Sequence, residues 1–201
     1  TVDTFSVLDY SRQLVTPSAE MLQAYDAIIL FTDAWPDDVA GPDAYDAIGD
    51  LLADYVDAGG GVVLCEFAIN GIAAGIRGRI ATPGYAPFSR GFAEVDFGEE
   101  EDRLVVMDSI EFPLHPVFNG VAVDSLVLPG NHFLGYPELD ETAILLAVDD
   151  HGTNAVAVNA AGNVIGLNMH FKHLVLPNDY TEAVKLTANS ILYAAEASVR
   201  R

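Results

Sequence analysis

The stretch AYDAIGDLLADYVDAGGGVVLCEFAIN, residues 44–70, carries a whole structural unit: a helix, a glycine turn and a strand. Ala44, Tyr45, Ile48, Leu51, Leu52, Tyr55 and Val56 recur three and four apart, which makes one helix face apolar and leaves Asp46, Asp50, Asp54 and Asp57 for water. Gly59, Gly60 and Gly61 end the helix, because a residue without Cβ enters the left-handed region at little cost. Val62, Val63, Leu64 and Cys65 follow without alternation, the pattern of a strand covered on both faces. Such a unit predicts an α/β fold with a parallel sheet. Ligands of these sheets bind beyond the carboxyl ends of the strands, so Cys65, Glu66 and Asn70 stand where chemistry would be sited.

Working outward, DAIILF at residues 26–31 reads as a second buried strand, followed by the loop TDAWPDD on the same sheet edge. Before it, Val2, Phe5 and Val7 suggest a short strand over residues 1–7, and Thr16 followed by Pro17 reads as the cap and first turn of a short helix. Residues 71–88 carry four glycines and two prolines, predicting a short helix and then a loop. The acids at 99–102 read as a solvated turn, and HPVFNGV, residues 115–121, as a compact turn bent at Asn119 and Gly120. A strand is expected over residues 125–128. Residues 143–148, 155–158 and 164–169 are β-rich and joined by hairpin chemistry at 149–152 and 160–163, which predicts an antiparallel meander. A helix over about residues 180–197 closes the chain, capped by Asp179 with Glu182 in the capping-box position.

The chain has 201 residues, 51% of them hydrophobic, enough for a single domain with a full core over residues 1–201. Thirty acidic residues face nine basic ones, for a net charge of −21, and a surface of that sign repels phosphate backbones and anionic lipid. Nucleic-acid binding and membrane insertion are therefore not expected; no apolar run spans a bilayer. The chain starts at Thr1 rather than Met, as a processed product or an excised domain would. Cys65 is the single cysteine, which excludes an internal disulfide and a multi-cysteine zinc site.

DAIILF, LADYVDAGGGVVLCEFA, GIRGRI, HPVFNGV, VIGLNMH and KLTANSILYAA come in an order and spacing that resembles the class I glutamine amidotransferase-like superfamily. The closest likeness is to its non-catalytic branch of trehalose-utilisation-type domains and bacterial surface-protein modules, and it runs over nearly the whole chain. The resemblance implies a flavodoxin-like three-layer sandwich with a mainly parallel sheet, to which the C-terminal antiparallel meander is joined. It also implies that the strand and helix which usually open this fold are missing before TVDTFSV, leaving a place in the sheet that an incoming strand can fill.

In the superfamily the nucleophile is a cysteine on a tight elbow with small residues two before and two after. Cys65 falls in that register, but Val63 and Phe67 hold the flanking places. His170 matches the family's base, yet Lys172 stands where its carboxylate partner belongs, and a cation there disfavours the imidazolium. Cys65 and His170 are thus the catalytic pair only if the protein is an enzyme, and the residues lean against it. A ligand crevice is expected from Asp33, Trp35, Glu66, Asn70 and His132, with Trp35 as a stacking platform for a glycan or a lid on the core. His115 reads as a loop residue bonding backbone. Asp33, Asp38 and Glu66, or Asp149 and Asp150, offer hard oxygens to Ca²⁺, but neither set has the spacing of a dedicated loop, so no cofactor or metal is expected. The glycines around Arg77 and Arg79 read as turn and packing glycines rather than an anion cradle.

These readings converge on a non-catalytic, amidotransferase-like module of a secreted or cell-surface protein. It would act in assembly, as an oligomer or beside other domains of a larger polypeptide, or in ligand presentation. Two other classes stay open: a Cys–His hydrolase or amidotransferase relative acting on a small amide, ester or sugar derivative, and a carbohydrate-binding module.

Overall fold

The computed structural model describes residues 3, 5, 15–32, 42–66, 68–69, 75–89, 94–96, 102–106, 110, 112–130, 133–171, 174 and 179–200. Three helices are described: α1 (Ala19–Gln23), α2 (Pro42–Asp57) and α3 (Thr181–Arg200). The strands are β1 (Ala27–Leu30), β2 (Gly61–Cys65), β3 (Phe88–Ser89), β4 (Glu94–Asp96), β5 (Arg103–Leu104), β6 (Val127–Leu128), β7 (Phe133–Gly135), β8 (Glu138–Leu139), β9 (Ile144–Val148), β10 (Asn154–Val158) and β11 (Val164–Leu167).

Five of them form the main sheet in the order β1-β2-β11-β10-β9. The pairs β1–β2 and β2–β11 are parallel, while β11–β10 and β10–β9 are antiparallel. The sheet is therefore parallel on its N-terminal side and antiparallel on the side built by the meander. Gly152 (φ 74°) and Gly162 (φ 75°) turn the two hairpins, as their sequences predict. Of the strand expected over residues 1–7, Asp3 and Phe5 are described and are outside any strand; the rest of that segment lies outside the described residues.

The alternation of β2 sorts its side chains into two cores. Val62 and Leu64 pack with Ile48, Leu52, Tyr55 and Val56 of α2. Val63 and Cys65 pack on the other face with Tyr180 and with Ala183, Leu186 and Ala194 of α3. Helix, sheet and helix thus form three layers, the flavodoxin-like sandwich. A Cβ on Gly61 would lie 2.4 Å from the backbone carbon of Ala194, so α3 crosses β2 closer than any side chain would permit. Gly59, at φ 104°, makes the left-handed turn between α2 and β2.

Several local readings are corrected. The cap of α1 is Ser18, whose Oγ accepts from Met21 N–H at 3.1 Å, not Thr16. Glu182 does not complete a capping box; its carboxylate accepts from Ala122 N–H at 2.6 Å and pairs with Lys185, while Asp179 caps Thr181 N–H at 3.2 Å. Residues 123–125 form a 3₁₀ turn, so the expected strand at 125–128 shortens to Val127–Leu128. The acidic stripe of α2 is not simply solvated. Asp46 and Asp50 accept the N–H groups of Gly78 (3.0 Å) and Arg79 (2.7 Å), and Asp54 and Asp57 bind the Arg79 guanidinium. Those carboxylates pin the glycine-rich loop to the helix, which agrees with Gly78 being a turn glycine at φ 69°.

Candidate functional site

Cys65 ends β2 in register with Leu167 of β11, so the segments leaving the two strands share one sheet edge. The chain turns at once: the Cys65 carbonyl accepts from Ala68 N–H at 3.0 Å and Ile69 N–H at 3.1 Å. Glu66 N–H donates to the Met169 carbonyl at 3.1 Å, and His170 N–H donates to the Pro129 carbonyl at 2.8 Å. Cys65, Glu66 and the Asn168–Met169–His170 segment are in this way brought side by side.

What surrounds them differs from a crevice. Cys65 is 0% exposed and packed in the α3-side core. Burial pushes its thiol pKa strongly up because it disfavours the charged thiolate, and the neighbouring Glu66 carboxylate pushes it the same way by opposing a second negative charge. His170 is buried as well. Amide or ester attack requires a thiolate at neutral pH, and this environment opposes one.

Glu66 is not a crevice residue either. Its side chain is buried, with Oε2 3.6 Å from the guanidinium of Arg103. Arg103 reaches inward from β5, donates to Asp149 Oδ2 at 3.0 Å through Nη1 and to the Asn168 carbonyl through Nη2. Asp149 uses its other oxygen to accept from His151 N–H (3.1 Å) and Thr153 N–H (2.9 Å), closing the β9–β10 hairpin. Two carboxylates and one guanidinium, nearly inaccessible to water, leave a formal charge of −1 beside the sheet edge. A low-dielectric setting makes such a cluster stabilising only while complete. It ties β2, β5, β9 and the end of β11 together, at the place where an active centre of this fold would open.

Sequence reasoning did not single out Arg103. It follows the acidic run 99–102 and looks like the basic end of a solvated turn; nothing local marks it as buried. The Asp149 and Asp150 pair is likewise committed, Asp149 to Arg103 and Asp150 Oδ1 to Leu104 N–H at 3.1 Å, rather than displayed for Ca²⁺. Among the described residues, no group of three or more His, Cys, Asp or Glu is gathered to hold a metal ion. His115 bonds backbone, with Nδ1 accepting from Val117 N–H at 3.4 Å. Asp33, Trp35, Asp38, Asn70, His132, Phe67 and Lys172 lie outside the described residues, and with them most of the expected crevice.

No protein-family model matches the chain, and no curated protein matches it in sequence. Solved structures do. A ThuA-like protein from Bacteroides uniformis superposes with a TM-score of 0.59 at 18% identity, over 88% of this chain and 71% of its own. A GMP synthase subunit from Thermoplasma acidophilum gives 0.53 at 13% identity, over 89% and 77%. A cytoplasmic protein from Salmonella typhimurium gives 0.52 at 16% identity, over 91% and 77%. At these identities the likeness is one of architecture, and this chain has the flavodoxin-like fold of those proteins.

Proposed function

We propose that this protein is a non-catalytic module with the amidotransferase-like fold, belonging to a secreted or cell-surface protein and acting in assembly or ligand presentation. The observation that carries the reading is the sealed Cys65. The thiol at the nucleophile's position has no exposure, and the residue after it spends its charge on a buried arginine. Supporting it is the acidic surface, with a net charge of −21, which favours solubility and repels nucleic acid and anionic membranes. Among the described residues no helix is long and apolar enough to cross a membrane. The module works without a cofactor in this reading, and its partners are proteins or neighbouring domains.

One observation favours the competing hydrolase reading: β2 and β11 do bring Cys65 and the His170 segment to one sheet edge. Alkylation separates the two. The folded protein is treated with iodoacetamide at pH 7.5, and Cys65 modification is followed by mass spectrometry with and without denaturant. A sealed thiol reacts at least a hundredfold faster after unfolding. Rapid modification of the folded protein, lost in His170→Ala, would overturn the non-catalytic reading in favour of a Cys–His dyad.

A further inference from the structure

Beside β1 lies an apolar cleft of about 230 Å³. It is lined by β1, by Met21 and Leu22 of α1, and by Asp3 and Phe5; Ile48 and Leu52 of α2 approach from one sheet face and Ile191 of α3 from the other. Among the described residues β1 is a terminal strand of the main sheet. The Asp26 carbonyl accepts from Gly61 N–H at 3.2 Å, so Asp26, Ile28 and Leu30 turn their backbone polar groups to β2. Ala27 and Ile29 therefore turn theirs into the cleft, two residues apart, at the spacing another strand requires.

The side chains say the same. β1 reads AIIL and packs into both cores, yet all four residues are only half-buried, whereas every residue of β2 is buried. Phe5 on the cleft wall is 43% exposed and Phe31, next after β1, is 42% exposed. An apolar edge that no described strand covers is a template for strand addition.

We propose that this cleft receives an extended strand from another polypeptide, apolar along a length matching the four residues of β1 and flanked by Lys or Arg, which adds to the main sheet as its next strand. A continuous apolar run is required because helices cover both faces of the place it takes. Basic flanks follow from the rim: Asp3 is the charged residue lining the cleft, and Glu20 and Asp26 stand exposed nearby. The same charge argues against a second copy of this chain, since two bodies each at −21 repel. A small apolar ligand would fill space but leave the polar groups of Ala27 and Ile29 unbonded. The proposal rests on the assembly reading above and names its contact.

The probe is the synthetic peptide acetyl-Lys-Lys-Val-Ile-Val-Ile-Lys-Lys-amide, added to the folded chain. Amide exchange at residues 27 and 29 is expected to be faster than at 28 and 30 in the chain alone, and to slow at least tenfold with saturating peptide. Affinity is expected to fall at least tenfold for the peptide N-methylated at alternate apolar residues, for a Glu-flanked version, and for Ala27→Pro. That substitution removes the outward N–H while sparing the β1–β2 ladder. Should Ala27→Pro not fold, the N-methylated peptide carries the same test without a variant.

Equal binding of the N-methylated peptide would overturn strand addition in favour of an apolar ligand site. Amides 27 and 29 already as slow as 28 and 30 would show that the chain covers its own edge, and a dimer in sedimentation protecting those amides would make the occupant a second copy; each overturns the proposal. Failure here with Cys65 inert defeats the strand site alone. Rapid alkylation of folded Cys65 defeats the assembly reading regardless of the peptide.

Discussion

Replacing Arg103 by methionine tests whether the cluster at the sheet edge holds the fold together. Methionine keeps much of the side-chain volume, so the change isolates the charge. It removes the guanidinium that bonds Asp149 at 3.0 Å, faces Glu66 at 3.6 Å and donates to the Asn168 carbonyl. Two carboxylates then remain buried without that guanidinium. Breaking a buried pair by deleting one partner costs about 3–5 kcal/mol, because the remaining charge is left without compensation. A domain of this length loses about 2–4 °C in Tm per kcal/mol, so Arg103→Met is expected to lower Tm by roughly 6–20 °C. Urea unfolding followed by circular dichroism at pH 7 measures the loss, and a cycle with Asp149→Asn measures the coupling of the pair. The double variant is expected to lose clearly less than the sum of the single losses. A loss below about 1 kcal/mol, or simple additivity, would refute the buried cluster.

Three further outcomes follow from the same geometry. Asn163 is fully buried and donates from Nδ2 to the carbonyls of Gly60 (3.3 Å) and Val56 (3.4 Å), so Asn163→Ala is expected to cost about 1–3 kcal/mol in denaturant unfolding. Gly59→Ala forces a Cβ into the φ 104° turn between α2 and β2 and is expected to destabilise by about 1–2 kcal/mol; an unchanged urea midpoint would contradict that turn. The carboxyl pKa of Asp179 is lowered first by the Thr181 hydroxyl, and that of Glu182 first by Lys185 and then by Ala122 N–H. Both folded values lie below the unfolded ones, so their contribution is complete above the unfolded pKa of about 4 and is lost as pH falls through the folded values. Stability measured from pH 6 to pH 3 is expected to fall less steeply in Glu182→Gln than in the parent; parallel curves would remove Glu182 from the acid response.

The elements most legible beforehand were those whose signals are local. The α2–glycine–β2 unit follows from a helical period, a run of residues free of Cβ and an unalternating apolar stretch, and the β9–β10–β11 meander from glycine turns between β-rich pieces. That Cys65 and His170 each follow a buried strand was also readable. Less legible was the immediate environment of these residues. Val63 and Phe67 signalled a poor elbow, but the charge that lies against the thiol comes from Glu66, and what holds that charge is Arg103, thirty-seven positions further on.

By itself, the sequence determined that this is an α/β chain with doubly covered strands, an antiparallel C-terminal part, an acidic surface and a single cysteine at the end of a buried strand. Its periodicities state which side of each element is apolar, because burial repeats with the local geometry of helix and strand. Only the tertiary structure decided that β11 enters beside β2, that Glu66, Arg103 and Asp149 meet away from water, that the α2 acids hold Arg79, and that β1 faces an apolar cleft. Each of those depends on partners far apart in the chain, and whether a charge or a strand edge is covered is a property of what packs against it rather than of its neighbours in sequence.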